Sequence, residues 1–307
     1  MRRKGLTCDI ISMDPLFSDE NFEDVVEHGI TQTIYTNPVA ERLNATASRL
    51  GKTARVFVKI DTGLRRVGVR HDEAADFIEH ISNLANLKVE GIFSTLTQNK
   101  ARDEEQLARF LEADAEMRRR GQDPGVRSLA SSDATLYFPE AHLDAVRPGM
   151  ILYGIYPSEA DLEAGIELRQ ALSFKARVEH VKWVEKGDSV TYWGRFVAPE
   201  RMRVRTLHVG FFDGIPRELA NKGRIRVGDE FRSILGSVSL NHVVVDLTGV
   251  DARSGDIVEV VGREGENTVN RISSMASWMT YSFLNHLNPH TPRIFYRGGI
   301  PVALLEP

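Results

Sequence analysis

Strand and helix signals alternate regularly through the first half of this 307-residue chain. Such alternation implies parallel strands that are joined by helical crossovers. We predict six strands, at residues 7–13, 30–36, 55–61, 88–96, 126–130 and 150–155. Helices are predicted after them, at residues 18–28, 38–50, 72–84, 103–120 and 133–137. Six such units are too few to close a (β/α)8 barrel, although they suit an open sheet.

The pattern changes after about Pro157. From residue 172 to residue 261, short β-type runs are separated by turn signals, which is typical of an antiparallel sandwich or barrel. A final helix at 270–287 and a strand at 293–296 are also predicted. The fold class is therefore α/β plus β. We predict a partial (β/α) barrel over residues 1–157 and a β-rich domain with a terminal helix over residues 158–307.

One charged residue interrupts the apolar run of the third predicted strand. Lys59 follows Val56-Phe57-Val58 and precedes Ile60-Asp61. A strand that is buried on both faces is usually apolar throughout, and a buried ammonium costs several kcal/mol unless it is paired or neutralised. An inner strand that delivers Lys59 to a site at its carboxyl edge explains the pattern. An edge strand whose Lys59 reaches solvent explains it equally well.

The charge and cysteine content exclude several classes of protein. Lys and Arg number 39 against 43 Asp and Glu, so the net charge is −4, which argues against binding to nucleic acid or to an anionic membrane. The single cysteine, Cys8, excludes an internal disulfide and a cysteine-rich metal cage. No apolar run approaches the roughly 20 residues of a membrane span, and no signal core follows the basic N-terminus. We expect a cytoplasmic protein without a metal site.

Four separated segments resemble the signatures of alanine racemases. They are KIDTGLRRVG (59–68), VRPGMILYG (146–154), VGFFDGIPR (209–217), and MTY (279–281) followed by Arg293 and Tyr296. Their order and spacing match the family, so the resemblance covers essentially the whole chain. It implies a (β/α)8 barrel joined to a β-rich domain, pyridoxal phosphate (PLP) as cofactor, and interconversion of L- and D-alanine for peptidoglycan. It also implies a head-to-tail homodimer in which each β-domain completes the site of the partner.

The resemblance assigns roles around the PLP ring. By position, Arg66 contacts the phenolic oxygen and the carboxylate of the substrate. Lys59 is the barrel lysine that the family often holds as a carbamate, which turns a like-charge neighbour of Arg66 into an opposite charge. Arg147 donates to the pyridine nitrogen, a role that favours racemisation over transamination. Alternatively, Arg147 is an exposed partner in an ion pair.

A second set of positions corresponds to the phosphate site of the family. Ser132 binds the phosphate, helped by the backbone N–H groups of Gly149 and Met150 and by the hydroxyl of Tyr281. Backbone donors at a turn and a helix N-terminus suit a dianion. Each residue also has a structural explanation: Ser132 caps a helix, Gly149 serves a turn, and Tyr281 is a half-buried core residue.

The catalytic positions depart from the family pattern. The family's catalytic tyrosine corresponds to Phe211, whose phenyl ring has no proton to exchange. The histidine that supports that tyrosine corresponds to Thr95. The Met-Asp pair that lines the site of the partner subunit corresponds to Leu240-Asn241, where Leu240 is expected to contact the substrate, and the Asn-Ser pair of the phosphate loop corresponds to Ser131-Ser132. We therefore predict that no catalytic residue is intact and that activity on alanine is weak or lost.

The beginning of the chain carries a further expectation. Residues 6–13 align with the third barrel strand of the family, so the strand with the lysine that carries PLP is expected to be missing, and PLP is expected to bind noncovalently. A start codon assigned too late would explain the same alignment. The alternative functions are a non-catalytic PLP-binding protein or a regulatory dimer partner, and a truncated reading frame without a stable product.

Overall fold

The computed structural model describes residues 1–158, 165–251 and 253–306. Two compact units divide the chain between Gly149 and Met150, and each is described by itself. The domain limits that the sequence suggests, near residue 157, stay a prediction.

Unit 1 is built on a seven-stranded sheet in which every pair of strands is parallel. Its strands are β1 (Ile11–Ser12), β2 (Thr31–Ile34), β3 (Ala54–Asp61), β4 (Val69–Arg70), β5 (Leu87–Phe93), β6 (Val126–Ser131) and β7 (Ala145–Arg147). The order is β1-β2-β3-β5-β6-β7, with β4 beside β3. This half-barrel confirms the incomplete barrel predicted from the sequence. All carboxyl ends of the strands therefore lie at one edge of the sheet.

Five helices form the crossovers of unit 1: α1 (Asp19–Glu27), α2 (Asn37–Arg49), α3 (Ala74–Ser82), α4 (Lys100–Arg119) and α5 (Ser132–Tyr137). Ser18 caps α1 in a reciprocal arrangement with Asn21, and Pro38 lies in the first turn of α2. The apolar side chains of these helices pack on the sheet in one core that includes Phe22, Leu43, Ile78 and Phe110. This core holds the carboxyl edge of the sheet in place.

The sixth strand predicted at residues 150–155 is wrong. Met150–Tyr153 forms a 3₁₀ turn, and the sixth strand in sheet order is β7, which ends at Arg147. Pro148 follows directly, and a proline has no N–H for the strand ladder. The apolar run after it resembles a strand in composition only.

Unit 2 contains a six-stranded antiparallel sheet of order β13-β12-β15-β8-β11-β14, which confirms the predicted β-rich half. The strands of the unit are β8 (Phe174–Val184), β9 (Ser189–Val190), β10 (Phe196–Val197), β11 (Met202–His208), β12 (Arg224–Val227), β13 (Glu230–Ser233), β14 (His242–Asp246), β15 (Ile257–Val261), β16 (Arg293–Arg297) and β17 (Ile300–Leu305). β9 pairs with β10, and β16 pairs with β17 in an exposed hairpin.

The predicted final helix is two helices, α6 (Val269–Ala276) and α7 (Thr280–His286). Ser277 separates them with a φ of 57°, a left-handed conformation that ends α6. Among the described residues, no helix combines the length and the apolar character that crossing a bilayer requires.

Candidate functional site

Lys59 lies in the middle of the unit 1 sheet, because β3 pairs with β2 on one side and with β5 on the other. Its exposed fraction is only 7%. The Nζ donates to Thr95 Oγ1 at 2.9 Å and lies 4.8 Å from the centre of the Phe93 ring. The interpretation as an inner strand is therefore correct, and β3 carries an amine to the carboxyl edge.

The surroundings of Lys59 lower the pKa of its amine to about 8. Burial is the main cause, and the positive charges of Arg147 and Arg66 add to it, while Asp61 acts in the opposite direction. An amine with this pKa is partly neutral at mildly alkaline pH. It is therefore a better nucleophile than an ordinary lysine.

Arg147 ends β7 and points its guanidinium at uncharged oxygens. Nη1 donates to Ser128 Oγ at 2.6 Å, and Nη2 donates to the carbonyl of Ser94 at 2.6 Å. The guanidinium lies 4.9 Å from the centre of the Phe93 ring, and burial lowers its pKa to about 10. The structure does not support the alternative of an exposed ion pair. Lys59 and Arg147 thus both contact the ring of Phe93. We call these three residues together the cation cluster.

The turn after β3 is held by Asp61. Its Oδ1 accepts from the backbone N–H of Gly63 at 3.0 Å and of Arg65 at 3.1 Å. Arg65 takes a left-handed φ of 59°, and Arg66 follows it with an exposed side chain. The sequence pattern therefore builds a tight turn that presents Arg66 next to the end of β3, where its charge acts on Lys59.

Ser132 and Gly149 meet at the end of β6. Ser132 begins α5, is buried, and accepts from the backbone N–H of Gly149 at 2.8 Å. The N-cap of α5 is Ser131, so Ser132 is not the cap of this helix. Its Oγ accepts from Gly149, which leaves the hydroxyl hydrogen to donate to a ligand. The N–H of Gly149, by contrast, is already engaged.

The remaining predicted positions lie in unit 2. Met150 is buried, and Tyr281 lies half-exposed on α7. Phe211 and Leu240 are exposed and belong to two loops that are bonded together, since the N–H of Phe211 donates to the carbonyl of Ser239 at 3.0 Å. The N–H of the next residue, Phe212, donates to the carbonyl of Leu240 at 3.0 Å, so the structure brings these two loops together. The guanidinium of Arg217 lies 5.4 Å from the centre of the Phe211 ring.

Sequence reasoning missed Phe93, Ser94 and Ser128, which contact the two cations. Ser94 follows directly after β5, and Ser128 is a buried polar residue within β6. Both positions are visible in the sequence as polar residues next to apolar strand residues. Their relation to Arg147 depends on strands far apart in the chain, which no local pattern reveals.

The family called "Alanine racemase, N-terminal domain" matches residues 1–157. The family called "Alanine racemase, C-terminal domain" matches residues 171–295. This chain belongs to the alanine racemase family. The resemblance seen in the sequence is thereby confirmed.

Individual alanine racemases are similar over most of the chain. The enzyme of Desulfovibrio desulfuricans is 34% identical over 88% of this chain and 74% of its own length. The alanine racemase structure of Clostridium difficile 630 has a TM-score of 0.90 and 27% identity, covering 99% of this chain and 80% of that one. The Bacillus anthracis alanine racemase with bound L-Ala-P has a TM-score of 0.86 and 25% identity, covering 99% and 80%.

Alanine racemases depend on PLP, and the residues of unit 1 fit that cofactor. Lys59 and Arg147 are two cations whose hydrogen bonds go to hydroxyl and carbonyl oxygens rather than to carboxylates. Burial lowers the pKa of both groups, which means that the fold disfavours these charges as they stand. A phosphorylated, phenolic ligand would supply the missing negative charge. The free hydroxyl hydrogen of Ser132 adds a donor for the phosphate.

Proposed function

We propose that this protein binds PLP and alanine at the carboxyl edge of the unit 1 sheet, as a noncovalent complex and as part of a homodimer in the cytoplasm. The cation cluster is the observation that carries the proposal. Two neighbouring cations with uncharged partners favour an anionic ligand, and membership of the alanine racemase family supports PLP with its amino acid as that ligand.

Ser132 is the phosphate ligand in this proposal. Its Oγ is held by the Gly149 N–H at 2.8 Å, so the hydroxyl hydrogen has a defined direction in which to donate. A hydrogen bond to a charged phosphate oxygen is stronger than one between neutral groups. The roles of Met150 and Tyr281 at the phosphate, and of Leu240 at the substrate, stay predictions from the family.

Arg147 orients the ring of the cofactor. PLP, when bound, supplies the electron-withdrawing ring that makes the Cα proton of an amino acid removable. Three anchor points, on Ser94, Leu129 and Ser128, hold the guanidinium of Arg147, so its two remaining N–H donors have a fixed orientation toward a ligand. A guanidinium that donates to the ring nitrogen keeps that nitrogen without a proton. Arg66 is exposed near the end of β3, where its charge acts on Lys59, and it binds the carboxylate of the amino acid in this proposal.

Lys59 is a carbamate in the working protein. The neutral amine attacks the carbon of CO2, the N–C bond forms, and the proton leaves to solvent. The lowered pKa of about 8 favours this step, because only the unprotonated amine reacts. The product is an anion close to the charges of Arg66 and Arg147, so repulsion becomes attraction. The carbamate supplies part of the negative charge that the cation cluster lacks, and PLP and the carboxylate of the amino acid supply the rest. A Lys59 in this state forms no covalent bond with PLP.

Racemisation needs a proton donor and acceptor on each face of Cα, and Phe211 provides neither. Thr95 stands where the family has the supporting histidine, and its Oγ1 is engaged by Lys59 at 2.9 Å. General acid–base groups contribute about 10²- to 10⁴-fold each. We therefore propose that alanine turnover is weak. The same observation favours the alternative of a non-catalytic PLP-binding protein or regulatory dimer partner.

The experiment is a PLP titration of the chain of residues 1–307, followed by an assay of D-alanine formed from L-alanine. We expect saturable PLP binding and D-alanine formation close to background in the wild type. The variant Phe211→Tyr alone is expected to stay close to background, because Thr95 supplies no support for a tyrosine. Absence of PLP binding would refute the proposed cofactor site. Rapid racemisation by the wild type would refute the proposal that Phe211 makes alanine turnover weak.

A second measurement tests the noncovalent complex. The PLP complex is treated with borohydride and digested, and the peptide with Lys59 is examined by mass spectrometry. We expect no phosphopyridoxyl group on Lys59. Such an adduct at stoichiometric yield would contradict the assigned role of this lysine.

A further inference from the structure

Two histidines and a glutamate meet on the surface of unit 2. Glu179 Oε2 lies 3.0 Å from Nδ1 of His208 and 3.0 Å from Nε2 of His242. The centres of the two imidazole rings are 5.7 Å apart, and the ring planes are nearly perpendicular. The three ligand atoms all lie within 4.8 Å of one another. We call these three residues the His–Glu cluster.

Strand pairing places the two histidines side by side. His208 is the last residue of β11 and stands directly opposite His242, the first residue of β14. Side chains of directly opposed residues point to the same face of the sheet at close range. The imidazoles therefore converge because of the register and not because of a chance rotamer.

An irregularity in β8 brings the glutamate to the same place. Thr206 of β11 pairs with His180, but the next residue, Leu207, pairs with Val178, so Glu179 is an extra residue in the ladder. A β-bulge of this kind redirects a side chain, and bulges are over-represented next to functional sites. It aims the carboxylate of Glu179 at both histidines.

The backbone around the bulge is held by the turn before β15. Ser254 Oγ donates to the carbonyl of Glu179 at 2.7 Å, and the N–H of Gly255 donates to the carbonyl of Val178 at 2.8 Å. The N–H of Val178 in turn donates to the carbonyl of Asp256 at 2.9 Å. The turn before β15 thus holds the backbone at Val178 and Glu179 in place through three hydrogen bonds. A fixed ligand orientation is what a metal site requires of its surroundings.

We propose that Glu179, His208 and His242 form a binding site for a divalent transition metal ion, with Zn²⁺ as the best match. Imidazole and carboxylate are ligands that suit Zn²⁺, at bond lengths of about 2.0 to 2.2 Å. Two ligand atoms bound to the same Zn²⁺ at a tetrahedral angle lie about 3.3 Å from each other. The two observed distances of 3.0 Å are close to this value. Each imidazole binds the metal through the nitrogen that now donates to Glu179, after its proton moves to the other ring nitrogen.

The site is independent of the proposed PLP chemistry, since all three residues belong to unit 2. Water completes the coordination, because the three side chains are exposed or half-exposed. The metal joins β8, β11 and β14 just before the loop that carries Phe211 and just after the loop that carries Leu240. We infer that metal binding stabilises this end of the sheet together with both loops.

The test uses the chain of residues 1–307 without a polyhistidine tag. Zn²⁺ is titrated by calorimetry, and Co²⁺ serves as a spectroscopic probe whose visible absorption reports tetrahedral coordination. We expect one Zn²⁺ per chain and an increase in Tm of about 3 °C at saturation. His208→Ala, His242→Ala and Glu179→Gln each lower the affinity about tenfold or more. Mg²⁺ is expected not to bind, because it prefers all-oxygen sites.

His180→Ala is the matched control, because His180 is an exposed histidine next to Glu179 but outside the His–Glu cluster. It is expected to leave the Zn²⁺ affinity unchanged. The far-ultraviolet circular dichroism of each variant shows whether the fold is intact. If the wild type binds no Zn²⁺ or Co²⁺, or if all three cluster variants retain the wild-type affinity, the proposal is wrong.

Discussion

The cation cluster of unit 1 and the His–Glu cluster of unit 2 are both built where strands end, but they differ in burial and in charge. In the cation cluster, Lys59 and Arg147 donate to uncharged oxygens, and burial lowers the pKa of both. In the His–Glu cluster, exposed imidazoles donate to a carboxylate, and these hydrogen bonds lower the pKa of Glu179. The first cluster favours an anion and the second favours a cation.

This comparison shows that burial decides what a polar cluster can bind. Taking a charge out of water without a counter-ion costs free energy. A ligand of opposite charge recovers a large share of that free energy when it binds. The side chains of an exposed cluster are solvated by water before a ligand binds. The binding free energy of such a cluster therefore comes mainly from its direct bonds to the ligand. We therefore expect mutations in the cation cluster to change PLP affinity strongly, and mutations in the His–Glu cluster to leave it nearly unchanged.

The largest effect is expected for Arg147→Met. Methionine keeps the bulk of the side chain but removes the donors and the positive charge, so the PLP dissociation constant should rise about 100-fold. A fluorescence titration with PLP measures this change. Arg226→Gln is the matched control, since Arg226 is a partly buried arginine of unit 2 that pairs with Glu259 and Glu264. Equal losses in both variants would show that the cation cluster is not the site.

Lys59→Met tests the cost of the buried amine through its pH dependence. The folded pKa of Lys59, about 8, is below its ordinary value of 10.5. Between pH 8 and pH 10.5 the unfolded state binds more protons than the folded state, so the stability of the wild type rises with pH in this range. Below pH 8 Lys59 is charged in both states, and burying its charge lowers the stability by the full amount. We expect the stability advantage of Lys59→Met over the wild type to shrink by about 2 kcal/mol between pH 7 and pH 10.

Urea denaturation of both proteins, without PLP and with CO2 removed from the buffers, measures this difference. Lys88→Met is the control, because Lys88 is an exposed lysine of β5. A stability difference between Lys59→Met and the wild type that does not change with pH would contradict the lowered pKa.

Ser132→Ala removes one hydroxyl donor and should raise the PLP dissociation constant about tenfold, because a hydrogen bond to a charged group contributes about 1.5 kcal/mol. Ser48→Ala is the control, since Ser48 is an exposed serine of α2 in the same unit. The assignment of Ser132 to the phosphate fails if the two variants bind PLP equally well. Inorganic phosphate should compete with PLP less well in Ser132→Ala.

The smallest effect is expected for Phe211→Tyr. Phe211 belongs to an exposed loop of unit 2, and a tyrosine there adds a hydroxyl without changing the cation cluster. The PLP dissociation constant should stay within about twofold of the wild-type value. The same titration measures it, and a tenfold change would show that the loop takes part in cofactor binding.

Much of the fold was predictable from the sequence, because its signals are local. Ser18 and Gly29 mark the ends of α1, and the run Val56–Ile60 marks the central strand β3. The error at Met150–Tyr153 has a local cause as well, since an apolar tetrapeptide looks the same in a strand and in a 3₁₀ turn. The break at Ser277 depends on one backbone conformation that serine rarely adopts.

The sequence by itself determined the family and the half-barrel, since these follow from residue identities and their order. The assignment of Phe211 and Thr95 to the catalytic positions of the family stays a prediction. Tertiary structure alone decided which partners the charges meet. Lys59 bonds to Thr95, 36 residues away, and Glu179 bonds to His242, 63 residues away. Such pairs depend on strand register and on a bulge, and both are set when whole sheets assemble.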